Sequence, residues 1–287
     1  MDHPYHYFVH DFTRLMEDGR KLPLGDLEPA PAPRLQDNAP RVLVFAPHPD
    51  DETLVGGLAL RLRREKRYRV TAMAVTQGSR VDRRAERMEE MHAACRFLGF
   101  EQLSSPRSSL SRVSARTRAE SPDAWAETVA QVQQAIAYHR ASVIIMPHAD
   151  DYHDTHTGTN LLVVDALRAQ GRGFTCRIVE TEFWRPMAEP NLLVESSPAD
   201  VADLVAAVSF HRGEVARNPY HLRLPAWMAD NVRRGSELVG GQGEAAPDFH
   251  FATLYRVQDW ADGDFRPCLK AGMILPAGAD LGAVFPF

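Results

Sequence analysis

The chain has 287 residues, of which 44% are hydrophobic and 25% are charged, a composition typical of globular proteins. Its net charge of −5 argues against a nucleic-acid or anionic-membrane partner, because such partners usually select a basic face. No apolar run is long enough to span a bilayer, no secretory signal is visible, and the three cysteines are scattered. We therefore expect a cytoplasmic protein without a disulfide framework.

The predicted elements begin with a short helix and a proline-rich linker, which together form an N-terminal arm at 1–40. From Arg41 onward, apolar strand-like runs alternate with helical patterns. The predicted strands and helices are, in chain order, strand 41–46, helix 53–65, strand 69–76, helix 83–98, helix 122–139, strand 142–147, helix 157–170 and strand 175–182. This alternation predicts a Rossmann-like α/β fold with a mainly parallel sheet and helices on both faces.

Two regions depart from the alternation. The segment 100–121 is rich in serine and arginine and lacks periodicity, so it is either a substrate-facing loop or a mobile surface loop. Beyond residue 185 the pattern weakens, although helices and one further strand are still indicated. We therefore predict a core domain at 41–215 and a C-terminal α+β extension at 216–287 packed on it.

The most informative motif, Ala46-Pro47-His48-Pro49-Asp50-Asp51-Glu52, follows the first strand and opens a helix. In open α/β sheets, ligands bind at the carboxyl ends of the strands, where this motif lies. His48 and Asp51 offer the nitrogen and oxygen ligands that Zn²⁺ accepts, and Asp50 between them remains free to act as a base. The alternative interpretation is a turn in which an aspartate caps the next helix.

A second motif at 146–156 also follows a buried strand and opens a helix. Two such motifs can converge at one point and together supply one carboxylate and two imidazoles as zinc ligands. The fourth zinc position then stays open, as in catalytic sites. A bound cation lowers the pKa of its water to about 7, while a carboxylate and an imidazolium nearby can transfer protons. The residues alone leave the third ligand open among His153, His156, His148, Asp150, Asp151 and Asp154.

Together these motifs resemble the PIG-L/LmbE-like family of zinc-dependent N-deacetylases. The stretch 46–52 matches the family's first motif, (A/P)HPDDE, and 151–156 resembles its second, which is close to DYHPDH. Weaker similarities are Gly56-Gly57, Thr76-Gln77-Gly78 and an R-x-x-E helix containing Arg87 and Glu90. The resemblance covers about 41–215, and the core is therefore interpreted as LmbE-like.

The resemblance implies a role for each matching residue. The metal ligands would be His48, Asp51 and His156, and the general base would be Asp50. His153 matches a histidine that stabilises the tetrahedral intermediate or protonates the leaving amine. The chain departs from the family where Thr155 replaces an aspartate, where Asp154 replaces a proline, and where only His211 is kept from a late His-Ser-Gln pattern.

We therefore expect a zinc-dependent amide hydrolase that uses metal-activated water to remove an N-acetyl group from a small amino sugar or sugar conjugate. Arg80, Arg87 and Glu90 are candidates for substrate contact, and a homo-oligomer is compatible with the sequence. The alternatives are cleavage of a thiol-conjugate or secondary-metabolite amide, and a non-catalytic metal-binding protein, which Thr155 suggests. Dinucleotide binding is not expected, because no G-x-G-x-x-G follows the first strand.

Overall fold

The apolar runs that predict strands form the middle of one nine-stranded sheet in the computed structural model, which describes residues 3–29, 32–107 and 112–287. The strands are β1 (Arg41–Ala46), β2 (Arg69–Ala74), β3 (Glu101–Leu103), β4 (Val143–Pro147), β5 (Cys176–Thr181), β6 (Leu192–Glu195), β7 (Ala252–Ala261), β8 (Asp264–Pro267) and β9 (Met273–Leu275). The helices are α1 (Pro4–Gly19), α2 (Asp51–Leu54), α3 (Gly57–Glu65), α4 (Arg84–Leu98), α5 (Ala115–Glu120), α6 (Pro122–His139), α7 (Asp154–Ala169), α8 (Pro198–Ser209), α9 (Arg212–Arg217) and α10 (Tyr220–Gly235).

The strand order confirms the predicted Rossmann-like α/β fold. It runs β3-β2-β1-β4-β5-β7-β6-β9, with β8 paired to β7 at one end of that strand. The first five strands in this order are mutually parallel, whereas β7 is antiparallel to both β5 and β6. The carboxyl ends of β1, β2, β4 and β5 therefore lie along one edge of the sheet.

Both faces of the sheet are buried, as the unbroken apolar runs predict. In β1, Val42 and Val44 pack with residues of α3, α4, α8 and α10 on one face. Leu43 and Phe45 point to the other face, where α6 and α7 cover them. Each fully buried side chain of this size contributes about 1.5–3 kcal/mol to folding, and this packing holds the strand ends rigidly beneath the candidate site.

The structure corrects two of the predicted elements. The helix predicted at 53–65 is broken into α2 and α3, because the hydroxyl of Tyr255 accepts the Leu58 amide at 3.0 Å and donates to the Val55 carbonyl at 3.1 Å. The segment 100–121 contains β3 and α5 rather than a loop alone, and its residues 108–111 lie outside the described part of the chain.

The predicted C-terminal extension contributes to the same sheet as the core. β7 pairs with β5 from Thr181 to Cys176 and with β6 from Leu192 to Glu195. The proposed division at residue 215 therefore separates segments that share one continuous sheet. Within the described residues, no helix is both long and apolar enough to cross a membrane.

Candidate metal centre

Two loops at the ends of neighbouring strands bring the candidate residues together. β1 and β4 are adjacent and parallel, so the segments that follow them leave the sheet at the same edge. Asn160 in α7 donates a hydrogen bond from Nδ2 to the Pro147 carbonyl at 2.9 Å, which ties the start of α7 to the end of β4. The two motifs are thereby placed against each other.

His48, Asp51 and His156 form a cluster whose ligand atoms all lie within 4.8 Å of one another. Asp51 Oδ2 lies 3.3 Å from His48 Nδ1 and 3.5 Å from His156 Nε2. His156 is fully buried, yet neither ring nitrogen has a hydrogen-bond partner among the described residues. A buried imidazole without partners is costly unless something binds it. Two imidazoles and one carboxylate are donors that fit Zn²⁺.

The pKa values of the adjacent Asp50 and Asp51 are shifted in opposite directions. Burial acts to raise the pKa of Asp51, but the neighbouring His156 and His48 hold it below its ordinary value. The pKa of Asp50 is raised well above its ordinary value, first by burial and then by Asp51, although Arg87 opposes this. Asp51 is therefore suited to remain an anionic ligand, whereas Asp50 is suited to exchange a proton.

Asp50 is held in an unusual backbone conformation, with φ 115° and ψ −31°. Residues with a side chain rarely occupy this region, so the surrounding contacts must stabilise it. The amide of Asp50 donates to Glu52 Oε2 at 2.9 Å, and its carbonyl accepts the Thr53 hydroxyl at 2.7 Å. Arg87 donates to the Pro49 carbonyl at 2.7 Å and lies 3.6 Å from Asp50 Oδ2.

Glu52 connects this loop to a distant part of the chain. Its Oε1 lies 2.9 Å from His211 Nε2, and both side chains are buried. Glu52 therefore contacts His211 through one carboxylate oxygen and the amide of Asp50 through the other. In the sequence, both residues stand out only as parts of motifs. Their contact joins positions 159 residues apart in the chain, so no local pattern could have predicted it.

His153 lies next to the triad, with its ring centroid 5.1 Å from those of His48 and His156. Its Nδ1 accepts the backbone N–H of Thr155 at 3.2 Å, so this nitrogen carries no proton and Nε2 carries it in the neutral ring. Burial, followed by the charge of His48, lowers the pKa of His153. The arrangement favours a neutral imidazole that donates from Nε2.

Asp151 is a second buried carboxylate beside these histidines. It accepts the amide of His153 at 2.9 Å and the amide of Trp184 at 3.1 Å, and its Oδ1 lies 3.8 Å from His156 Nδ1. Such a carboxylate can orient a metal-binding histidine. Asp154, the residue considered as a substitute for the missing family aspartate, is exposed.

The other residues considered as the third ligand lie outside the cluster of His48, Asp51 and His156. His148 Nε2 is 2.8 Å from the Arg185 carbonyl, and that nitrogen is 3.8 Å from Asp151 Oδ2. Asp150 is exposed. Within the described residues, the cluster with ligand-like spacing is the one that contains His156.

The triad lies in a cleft of 1360 Å³, which also includes Asp50, His153, Arg80 and Arg87. Arg80 is exposed near the cleft and pairs with Asp82 through two nitrogen–oxygen contacts. Arg87 is buried against the Asp50 loop, and a side chain on Gly78, whose φ is +87°, would collide with it. Glu90 follows Arg87 by three residues in α4 but does not line the cleft, and its Oε1 accepts the Gly213 amide at 3.1 Å. Contact of Arg80, Arg87 and Glu90 with a substrate stays a prediction.

Part of the chain matches a known protein family, and the fold resembles solved structures. Residues 43–167 match the model of the family described as PIG-L, GlcNAc-PI de-N-acetylase. The fold is similar to N,N'-diacetylchitobiose deacetylase from Pyrococcus horikoshii, with 15% identity, a TM-score of 0.56 and coverage of 92% of this chain and 94% of that chain. No curated protein sequence matches the chain significantly.

Two further solved structures share the fold. The zinc-inhibited form of teicoplanin deacetylase Orf2 matches with 17% identity, a TM-score of 0.53 and coverage of 77% of this chain and 99% of that chain. GalB, the 4-carboxy-2-hydroxymuconate hydratase from Pseudomonas putida, matches with 16% identity, a TM-score of 0.55 and coverage of 76% and 95%. Because a hydratase and deacetylases share this architecture, the fold alone does not specify the reaction.

The family match at 43–167 contains both motifs and falls within the range of about 41–215 expected from the resemblance. It includes His48, Asp51 and His156, together with Asp50 and His153. The resemblance to the PIG-L/LmbE-like family is thus confirmed by an independent comparison. Residues 43–167 of this chain are therefore similar to the PIG-L family of de-N-acetylases.

Proposed function

We propose that this protein is a zinc-dependent amide hydrolase that removes an N-acetyl group from an amino sugar or sugar conjugate. The observation that carries the proposal is the buried triad of His48, Asp51 and His156, with Asp50 beside it in a large cleft. The match of residues 43–167 to a de-N-acetylase family supports the same reaction class. The sugar is suggested by resemblance to deacetylases of N-acetylated compounds.

The triad would hold Zn²⁺, which when bound lowers the pKa of water and polarises a carbonyl oxygen. Asp50 accepts a proton from the attacking water, and its raised pKa suits it to return that proton to the departing amine nitrogen. His153 donates from Nε2 to the oxygen on which negative charge develops, because its Nδ1 is occupied by the Thr155 amide. Asp151, whose Oδ1 lies 3.8 Å from His156 Nδ1, would orient that ring through its charge once the metal is bound.

A turnover screen tests the proposal. Zinc-loaded wild-type protein is incubated with N-acetylglucosamine, N,N'-diacetylchitobiose and N-acetylated thiol conjugates, and the release of both acetate and free amine is measured. Measuring both products excludes a hydration reaction of the kind that GalB's name describes. We expect turnover of at least one sugar probe and its near-complete loss in Asp50→Asn, because an amide cannot accept the proton.

Matched measurements separate the alternatives. Asp37→Asn makes the same chemical change at an exposed position and should retain full activity. Turnover of thiol conjugates alone would favour the alternative amide substrate. Stoichiometric zinc without acetate release from any probe would favour a non-catalytic metal-binding protein, and equal rates for wild type and Asp50→Asn would contradict the assignment of the base.

A further inference from the structure

Helix α1 extends away from the rest of the protein, which holds it at one end. Every residue from His3 to Leu15 is exposed. Gly19, the last residue of the helix, is buried, and a side chain at this position would collide with Leu222 of α10. None of the hydrophobic clusters that the described residues form includes a side chain of α1. The helix is therefore an arm rather than a part of the core.

The apolar side chains of α1 lie on one face of the helix. At about 100° per residue, positions 5, 8, 9, 12, 15 and 16 fall within about one third of its circumference. These positions hold apolar side chains, which are Tyr5, Phe8, Val9, Phe12, Leu15 and Met16. His10 and Arg14 lie on the opposite side. A helix with such a face normally buries it against another element, whereas α1 leaves most of it exposed.

A groove beside this face is formed by α1 alone. It has a volume of 420 Å³, and every residue that lines it belongs to the helix: Phe8, Asp11, Phe12, Arg14, Leu15 and Asp18. The stretches 1–2, 30–31 and 108–111 lie outside the described residues and hold at most four residues each, too few to cover a helix of 16 residues. The partner of the apolar face is therefore another molecule.

The charges of α1 favour a protein partner over a lipid surface. Asp11, Glu17 and Asp18 outnumber Arg14, which is the one arginine or lysine between Pro4 and Gly19. Amphipathic helices that lie in anionic membranes usually carry many lysines and arginines on the polar face. The polar face of α1 has the opposite balance of charge and would be repelled by such a membrane.

The exposed area of the face matches what a dimer of two such helices needs. The exposed fractions are 73% for Tyr5, 69% for Phe8, 60% for Val9, 51% for Phe12 and 67% for Leu15. With about 150–250 Å² for an aromatic and about 60–120 Å² for an aliphatic side chain, these five present roughly 350–650 Å². Two copies would together bury roughly 700–1,300 Å² of apolar surface, a range that includes the ~1,000 Å² expected of a specific interface. Polar atoms at the rim add to this area.

We propose that α1 is a dimerisation arm whose apolar face packs against α1 of a second copy of this chain. The same residues meet on both copies, so the contact closes a twofold dimer and leaves no second apolar face to recruit further copies. Phe12 lies at the centre of the contact, with Phe8 and Leu15 one turn away on either side. The inference does not depend on the proposed hydrolase function.

Sedimentation velocity of the full chain at roughly 1–100 μM tests the inference, because small interfaces have affinities in this range or tighter. We expect a species of about twice 32.1 kDa. The double variant Phe8→Gln/Phe12→Gln should weaken the dimer at least roughly 100-fold, since each dimer loses four buried rings. Glutamine is a good helix former, so the helix itself is retained, as circular dichroism can verify.

Tyr7→Gln is the matched control for this double variant. Tyr7 is 68% exposed on the same helix, but it lies about 140° from Phe12 around the helix axis, so this variant should remain dimeric. A wild-type protein that is monomeric over the whole concentration range overturns the proposal. So does a dimer that survives the double substitution, or one that Tyr7→Gln disrupts equally.

Chemical cross-linking tests the helix pair without removing any apolar side chain. Thr13 is exposed in the middle of α1, at the margin of the apolar face. A bismaleimide whose spacer matches the roughly 8–10 Å between packed helix axes should join two Thr13→Cys copies through position 13. Peptide mass mapping distinguishes this product from one at the partly buried Cys268. Tyr138→Cys, at a site in α6 that is 81% exposed, should give no such dimer.

Two further outcomes would assign the face to a different partner. A dimer that sediments normally but forms no cross-link at position 13 means that α1 docks on another surface of the second copy, and it overturns the helix pair. Binding of the wild-type protein to phosphatidylserine vesicles, in place of self-association, assigns the apolar face to lipid and overturns the proposal as well.

Discussion

The contact between Glu52 and His211 should control the rate of the reaction through the conformation of Asp50. Glu52 accepts the Asp50 amide at 2.9 Å while Asp50 has φ 115°, a conformation that costs roughly 1–3 kcal/mol for a residue with a side chain. Glu52→Gln preserves the size of the side chain. Its amide nitrogen must then face either the Asp50 N–H, which loses its acceptor, or His211 Nε2, where the contact with a carboxylate oxygen is lost.

The expected magnitude follows from the lost hydrogen bond. A buried hydrogen bond to a charged group contributes about 1.5–3 kcal/mol, and at about 1.4 kcal/mol per tenfold in rate this corresponds to a decrease in kcat of roughly 10- to 150-fold. KM and zinc content should remain unchanged, because Asp51 and the two histidine ligands are not altered. The free energy of unfolding should fall by about 1–3 kcal/mol.

The assay measures acetate release per bound zinc, together with zinc content and the free energy of unfolding. Asp165→Asn is the matched control, because Asp165 is half-buried, accepts the Trp125 Nε1–H at 2.9 Å, pairs with Arg118 at 2.8 Å and does not line the cleft. It should lose stability while retaining kcat. If Glu52→Gln and Asp165→Asn show the same kcat per zinc, the Glu52 contact is purely structural and the reasoning is refuted.

Three further predictions concern the ligand, the substrate and the pH dependence of stability. Asp51→Ala should lose zinc on dialysis while Asp50→Asn retains it, as measured by atomic emission; equal loss in both would mean that the two carboxylates are wrongly assigned. Arg80→Ala should raise KM about two- to fivefold with unchanged zinc, since an exposed charge contributes up to about 1 kcal/mol; unchanged kinetics on the true substrate would remove Arg80 from the site. Burial lowers the pKa of His221, so the unfolded chain binds more protons and stability should fall as the pH drops through about 6.5. His221→Gln should therefore reduce the loss of Tm between about pH 7.5 and pH 5.5, whereas the exposed His92→Gln should not; identical losses would contradict this assignment.

The sequence was most informative where a local pattern determines the structure. The unbroken apolar runs predict β1 and β4, because a strand buried on both faces has no polar position. Helix α6 begins and ends at the predicted residues, since Ser121-Pro122 fixes its start and an apolar face continues to Ile136. The order of strand and motif then indicated which edge of the sheet contains the candidate site.

The features that could not be predicted depend on contacts between distant residues. The break between α2 and α3 depends on Tyr255, about 200 residues away in the chain. The position of Arg87 against the Asp50 loop depends on how α4 packs. The spacing of Arg87 and Glu90 in the sequence does not show whether Arg87 packs against the protein or faces a substrate. Asp151 was one of several carboxylates in its motif, and its contact with His156 became visible only in three dimensions.

The position of β7 has a consequence for how the protein is made. β7 lies between β5 and β6 in the sheet, yet it is synthesised about 70 residues after β5. At about 5–20 residues per second, the ribosome leaves the edge of β5 that will pair with β7 unpaired for roughly 4–14 s. Unpaired strand edges of buried apolar strands readily join other chains. A nascent chain that is stalled or cleaved before Ala252 should therefore aggregate or require a chaperone, even though every predicted metal ligand has already been translated.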